Sequence, residues 1–263
     1  MPDLTGQTVL ITGASSGLGE QLALAVAAQG AHVVLMARRA ARLQAVAAQC
    51  RVLSQAQALV CAGDISQVAA VERVFTMIDQ QFERLDIVIN AAGFGYLAPA
   101  VAISPAMMTR MFRVNTLGVM YVSQLAAQRM VLARHGEIVN VASIAGKLAT
   151  PKSAVYAATK AALIAYDNAL RLELKPARVN VMTVNPGPIT TDFFKTADPT
   201  GHYLEQVDKI ALNPVKLAAL IVSKVGHQRR ELNRPRLMAA ANLGYQMAPK
   251  LGDWLAGTVF NFK

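Results

Sequence analysis

Six short, near-continuous apolar runs, separated by segments of helical pattern, constrain this chain more than any other feature. They are "QTVLIT" (7–12), "AHVVLMA" (31–37), "AQALVCA" (56–62), "LDIVIN" (85–90), "GEIVNVAS" (136–143) and "RVNVMTVNP" (178–186). Between them lie helical patterns such as "LGEQLALAVAAQG" and "ARLQAVAAQ", a helix near 66–82, and long helices at about 105–133 and 153–175. Strands that are apolar at nearly every position belong to a parallel sheet covered by helices on both faces. The expected fold is therefore α/β, an open, doubly wound parallel sheet of Rossmann type. With 54% hydrophobic and 16% charged residues, 263 residues suffice for one large core. No repeat or linker divides the chain, so residues 1–263 are read as a single domain. In such sheets a ligand binds at the carboxyl ends of the strands, near the point where strand order reverses. The residues that follow each strand are the ones to inspect.

After the first strand, Gly13, Ser15, Ser16, Gly17, Leu18 and Gly19 make a glycine-rich turn that opens a helix. Such a turn lets backbone N–H groups approach a pyrophosphate at the helix N-terminus. After the second strand an NAD site would place an acid against the adenosine ribose. Here the chain has Arg38 and Arg39, with no acid between Glu20 and Asp64. A guanidinium pairs with a 2′-phosphate through charge-assisted hydrogen bonds. The missing acid favours Arg38 as that partner, with Arg39 assigned to the surface of the following helix. After the third strand, Asp64 opens "DISQ", either as part of a helix cap or facing an adenine amino group. After the fourth, "NAAG" (Asn90 to Gly93) is small enough for a ligand to lie against the backbone.

The chemistry is expected from four further side chains. Asn115 falls inside the 105–133 helix, where asparagine is a poor helix former; it either bends the helix by local bonding or serves a site. Ser143 ends the fifth strand and points into the crevice. Tyr156 and Lys160 are an i, i+4 pair on one helix face. A tyrosine at its ordinary pKa is a poor base at neutral pH, and an adjacent ammonium favours the phenolate. Ser143 can hold a substrate oxygen beside that phenol.

Taken together, "TGASSGLG" (12–19), "NAAG" (90–93), Asn115, Ser143, "YAATK" (156–160) and "NPGPITT" (185–191) resemble the short-chain dehydrogenase/reductase family over roughly residues 5–225. The resemblance implies a strand order 3-2-1-4-5-6-7 and hydride transfer at the nicotinamide. It implies Tyr156 as general acid/base, Ser143 as the group that positions the reacting oxygen, and Lys160 as ribose ligand and modulator of the tyrosine. Asn115 would hold a proton-carrying water, Asp64 would contact adenine, and Asn90 would flank the adenosine ribose. Pro186, Gly187, Ile189 and Thr191 would line the nicotinamide end. The "AR" after strand two resembles the NADP-preferring members, so the cofactor expected is NADP(H). Some of those members carry a basic residue inside the glycine turn, and the corresponding residue here is Ser16.

Residues 187–212 resemble the family's substrate loop. Phe193, Phe194 and Tyr203, with Phe94 and Tyr96, suggest an apolar pocket for a small carbonyl or alcohol substrate. The expected function is an NADP-dependent carbonyl reductase or alcohol dehydrogenase. The alternatives are a dehydratase or epimerase on the same fold and a protein that senses NADP(H) without turnover, which would not need all four catalytic side chains.

Beyond residue 226 the pattern fades. "RRELNRPRL" holds a short seventh strand, and 236–263 is an apolar, basic extension. Residues 209–263 carry nine Lys/Arg against Glu231 and Asp253, within a net charge of +10. Leu237, Ala241 and Tyr245 share one helical stripe, and Ala240, Leu243, Met247 and Leu251 a neighbouring one. Pro249 breaks the helix and leaves Trp254, Leu255, Val259, Phe260 and Phe262 in a second segment. So wide an apolar surface suggests a sister subunit, in a homo-oligomer, or an anionic membrane surface. No nucleic-acid motif accompanies the charge. Cys50 and Cys61 are expected reduced and buried, and the scattered histidines suggest no metal site. The N-terminus lacks a signal-peptide pattern and no stretch is long enough to span a bilayer, so a cytoplasmic protein is expected.

Overall fold

A strand that is apolar at every position can be buried only between two helical layers, and that is the arrangement observed. The computed structural model describes residues 2–54, 56–148, 150–198 and 210–258. β1 (Thr8–Thr12), β2 (His32–Ala37), β3 (Ala58–Ala62), β4 (Ile87–Asn90), β5 (Gly136–Val141), β6 (Val179–Pro186) and β7 (Glu231–Arg234) form one parallel sheet. Their order is β3-β2-β1-β4-β5-β6-β7. The chain runs outward from β1 to β3 and then returns to build the other half from β4, so β1 and β4 flank the reversal point.

Alternate residues of each strand feed opposite cores. Val9 and Ile11 pack with α1 (Gly17–Ala27), α2 (Ala40–Leu53) and α8 (Pro214–Val222) through Leu22, Leu43 and Ile221. Leu10 and Val34 face the other side, against Val71 and Phe75 of α3 (Val68–Gln81), Val122 of α5 (Val119–Ala133) and Leu163 of α6 (Ala154–Leu174). Each such side chain contributes about 1.5–3 kcal/mol on burial. α3 shows how the sequence specifies a one-faced helix, with Val71, Val74, Phe75 and Ile78 buried at helical spacing. Cys50 and Cys61 lie in opposite cores as free thiols. Burial pushes both up to about 11.

The expected 105–133 helix is three elements. α4 (Pro105–Phe112) is capped by Ser104, whose Oγ accepts from Met107 N. A π-helical turn (Arg113–Gly118) follows and leads into α5. The polar and small residues of "NTLG" explain the interruption: Asn115 and Thr116 bond outward to other segments. Gly118 lies so close to Ile65 that a Cβ there would meet it at 2.7 Å.

After β6 the chain makes an isolated bridge between Ile189 and Leu212 and a short helix, α7 (Phe193–Ala197). The expected seventh strand is β7. Pro249 separates α9 (Arg236–Met247) from α10 (Pro249–Gly257), as proline at a helix start should. Tyr245 Oη donates to Asp253 Oδ1 at 2.6 Å, tying the two helices together. Tyr203, Val259, Phe260 and Phe262 lie outside the described residues, as do the side chains of Ala240, Leu243, Leu251 and Leu255. Among the described residues no helix is long and apolar enough to cross a membrane.

Candidate active site

The carboxyl ends of the strands open into a cleft of about 1630 Å³. Gly13, Ser15, Ser16, Gly17, Leu18 and Gly19 line it, together with Arg38, Asp64, Gly93, Ser143, Tyr156, Lys160, Pro186, Gly187, Ile189 and Thr191. Most of the sequence-derived site is thus brought to one place.

At the glycine turn the backbone leaves no room for side chains. Gly13 has φ +72°, and a Cβ on it would lie 2.8 Å from the Ala92 backbone. A Cβ on Gly19 would collide with the Gly13 carbonyl oxygen. Thr191 packs over Gly17, at 3.4 Å from where a Cβ would stand, so the loop after β6 borders the same turn. The cradle, the helix start behind it and the size of the cleft fit a dinucleotide.

The two arginines behave differently from expectation. Arg39 does not simply cover the surface of α2; its guanidinium turns back across the glycine turn. Its Nη2 donates to Ser16 Oγ at 2.6 Å and to Ser15 Oγ at 3.0 Å. The cation missing from the turn at Ser16 is supplied from the end of β2. Arg38 also lines the cleft. The signal for Arg39 was present as a second arginine after β2, but only the backbone path shows which of the two reaches the turn.

Asp64 is half-buried, and its Oδ1 accepts from Ser66 N at 2.9 Å, an Asx turn ahead of α3. The Asn90 side chain points inward, away from the cleft. It is fully buried, its Oδ1 accepts from Thr12 Oγ1 at 3.2 Å, and its Nδ2 donates to Asn140 Oδ1 at 2.9 Å and to Ser123 Oγ. Strand parity decides this: position 90 belongs to the strand pleat, and the cleft begins at Ala91.

Asn115 is likewise fully buried and does not face the cleft. Its Oδ1 accepts from Phe94 N at 2.9 Å, and its Nδ2 donates to Phe94 O at 2.8 Å and to Thr159 Oγ1 at 3.2 Å. Both amide hydrogens are spent, so the side chain clamps the segment after β4 against α6. Gly93 sits in that clamp; a Cβ there would lie 3.3 Å from Asn115 Oδ1 and 3.5 Å from Lys160 Nζ.

Ser143 caps a single 3-10 turn, accepting from Ala145 N at 3.1 Å, and its hydroxyl reaches Pro186 O at 3.4 Å. It also lies close enough to the Tyr156 phenol, one helix turn from Lys160, to pull that phenol's pKa down. Lys160 is buried, and its Nζ donates to Val141 O at 2.8 Å. Burial lowers the Lys160 pKa to about 8, against the opposing attraction of Asp167. The expected depression of the tyrosine by the ammonium is not what governs it here. Burial pushes Tyr156 up to about 12, and the group that pulls it down is Ser143. Desolvation of the half-buried phenol outweighs the pull of Ser143.

The expected apolar pocket exists in part. Phe94, Phe193 and Phe194 line the cleft, and Tyr96 does not. The Phe193 ring lies 5.8 Å from that of Tyr156 and packs edge-on against Phe194 at 5.3 Å. Leu97 N donates to Ala197 O, docking α7 on the segment after β4. The sequence reading missed α9, whose Leu237, Met238 and Ala241 form one wall of the cleft. The stripe through Leu237 and Ala241 was legible, but not the wall it would form.

The family model described as short chain dehydrogenase matches residues 7–201. An uncharacterized oxidoreductase of Staphylococcus aureus strain MRSA252 is 33% identical over 222 residues, covering 84% of this chain and 92% of the relative. Among solved structures, a short-chain dehydrogenase from Sphingobium yanoikuyae in complex with NADPH superposes with a TM-score of 0.80 at 28% identity, over 94% of each chain. A 3-ketoacyl-(acyl-carrier-protein) reductase from Brucella melitensis, complexed with NADH, gives 0.79 at 29% identity over 88% of this chain and 97% of the other.

Proposed function

This chain belongs to the short-chain dehydrogenase/reductase family, and we propose that within it the protein is an NADP-dependent oxidoreductase interconverting a carbonyl and an alcohol. The observation that carries the reading is the convergence of Ser143, Tyr156 and Lys160 on one cleft, with the phenol one helix turn from the lysine. The choice of NADP rests on Arg39 and Arg38 at the glycine turn, with no acid at the end of β2.

The glycine turn, Asp64 and the 186–191 segment would hold the dinucleotide, with Arg39 and Arg38 at its 2′-phosphate. When bound, the nicotinamide supplies or accepts the hydride. Tyr156, at about 12, keeps its proton at neutral pH and can give it to a carbonyl oxygen. Ser143 Oγ shares that oxygen and fixes its direction. Lys160, at about 8, is mostly charged at neutral pH and stabilises the phenolate left behind. Asn115 acts as a positioning residue, through Phe94 and Gly93. Carbonyl reduction is therefore favoured at neutral pH and alcohol oxidation at higher pH. The apolar walls suit an apolar substrate.

NADPH consumption against a mixed panel of ketones and aldehydes, beside an NADPH binding titration, tests the proposal. Turnover of a carbonyl by the native protein and its loss in Tyr156→Phe are expected. Binding without turnover of any carbonyl would leave a cofactor-binding protein and overturn it.

A further inference from the structure

Once the dinucleotide is accounted for, two cations in the cleft wall have no task. Arg110 ends the cleft-facing side of α4, and Arg113 follows in the π turn one helix turn on. Neither has an acidic partner or a hydrogen-bond acceptor among the described residues, whereas Lys195, also in the wall, is held by Asp192 at 2.7 Å. Arg110 instead lies over the Phe94 ring, 5.0 Å from guanidinium carbon to ring centroid. The backbone that carries that ring is fixed, since Phe94 is bound at both N–H and C=O by Asn115. Gly93, next to it, borders Lys160. The cation is therefore one aromatic ring away from the segment that borders the catalytic lysine.

The apolar side chains of Leu97, Leu148, Phe193 and Leu237 line the same cleft. A guanidinium laid on an aromatic face keeps its planar edge of donors free, and that fork matches the two oxygens of a carboxylate or phosphate. A purely apolar substrate would gain nothing from it.

We propose that Arg110, supported by Arg113, is the specificity determinant for an oxyanion on the substrate. The substrate is then a carbonyl compound with an apolar body and a carboxylate or phosphate at some distance from the reacting carbon. This rests on the reading of Tyr156 as the site of carbonyl reduction.

The test compares kcat/KM for a series of keto acids, with the ketone at increasing distance from the carboxylate, against their methyl esters and the matching keto phosphates. At the best length the oxyanion should be preferred over the ester by roughly tenfold or more, as a charge-assisted pair allows. The preference should shrink with added salt. Arg110→Ala should bring the acid-to-ester ratio towards one, and Arg110→Lys should keep part of it. Whether acid or phosphate leads identifies the source of the oxyanion. A ratio near one in the native enzyme, or one that Arg110→Ala leaves intact, overturns the inference. So does a loss of NADPH affinity in Arg110→Ala, which would place the residue in the cofactor site. Calorimetric titration of the keto acids and keto phosphates into NADP⁺-loaded protein separates the two readings. If no carbonyl is reduced, oxidoreduction fails, while Arg110-dependent binding of the oxyanion still decides this proposal.

Discussion

Arg39→Ala should cost NADPH affinity and spare NADH. The native guanidinium stands 2.6 Å and 3.0 Å from the Ser16 and Ser15 hydroxyls, on the rim of the turn that would receive the phosphates. A charge-assisted hydrogen bond to a phosphate contributes about 1.5–3 kcal/mol, or roughly ten- to a hundredfold in affinity. Two features move the expectation towards the lower end. Arg39 is exposed, so solvent screens it. Its donors are already engaged by two hydroxyls, so the phosphate replaces existing bonds. The expected loss is therefore about tenfold for NADPH. The assay is fluorescence titration of both cofactors against native protein, Arg39→Ala and Arg38→Ala, at two salt concentrations. Preference for NADPH should fall as salt rises, since exposed charge is screened. Equal losses for the two cofactors would refute the reasoning, and a loss confined to Arg38→Ala would return the role to Arg38.

Four other outcomes follow from the geometry. Tyr156→Phe should abolish turnover while NADPH still binds by titration; near-normal kcat would move the proton donor elsewhere. Gly13→Ala must hold φ +72° with its Cβ 2.8 Å from the Ala92 backbone, so thermal unfolding should show a loss of about 1–3 kcal/mol together with loss of cofactor affinity, and an unchanged Tm would refute this. Burial raises Asp167 from 3.8 to about 6, so between those pH values the folded protein holds a proton that the unfolded chain has released. Stability should then fall as pH rises through that window, by up to about 3 kcal/mol, and Asp167→Asn should flatten the fall in denaturant titrations at pH 4 and 7. A chain ending at Asn233 loses the α9 wall and should show a higher KM for apolar carbonyls. The same chain tests the exposed Trp254 and Met247: salt-sensitive sedimentation with anionic liposomes that truncation removes supports membrane contact, and a liposome-free oligomer that truncation breaks supports subunit packing.

The sheet was legible because its strands are apolar on both sides, a pattern few other elements share. The glycine turn, Ser143, Tyr156 and Lys160 were legible because each stands at a fixed distance from a strand end or along a helix. What escaped was direction. Asn90 and Ala91 are neighbours in sequence, but the pleat sends the first side chain into the core and lets the second border the cleft. Arg38 and Arg39 are chemically identical, and the turn of the backbone into α2 decides which one crosses to Ser16. The electrostatics escaped as well: proximity to Lys160 argued for a depressed tyrosine, whereas desolvation by the surrounding fold pushes the phenol up. The α9 wall was hidden because an apolar stripe does not state what it faces.

The inward turn of Asn90 has a consequence for how the strands find their partners. Parallel strands of Val, Ile and Leu differ little from one register to the next, so apolar contact alone discriminates weakly among alignments. Thr12, Asn90, Asn140, Asp167 and Thr183 form a hydrogen-bonded row across β1, β4, β5, α6 and β6. A slip of β1, β4, β5 or β6 would strand these groups in the core without partners, at about 1–3 kcal/mol for each. The row thus serves as an alignment key, which rejects mispaired sheets before the cleft above it can form.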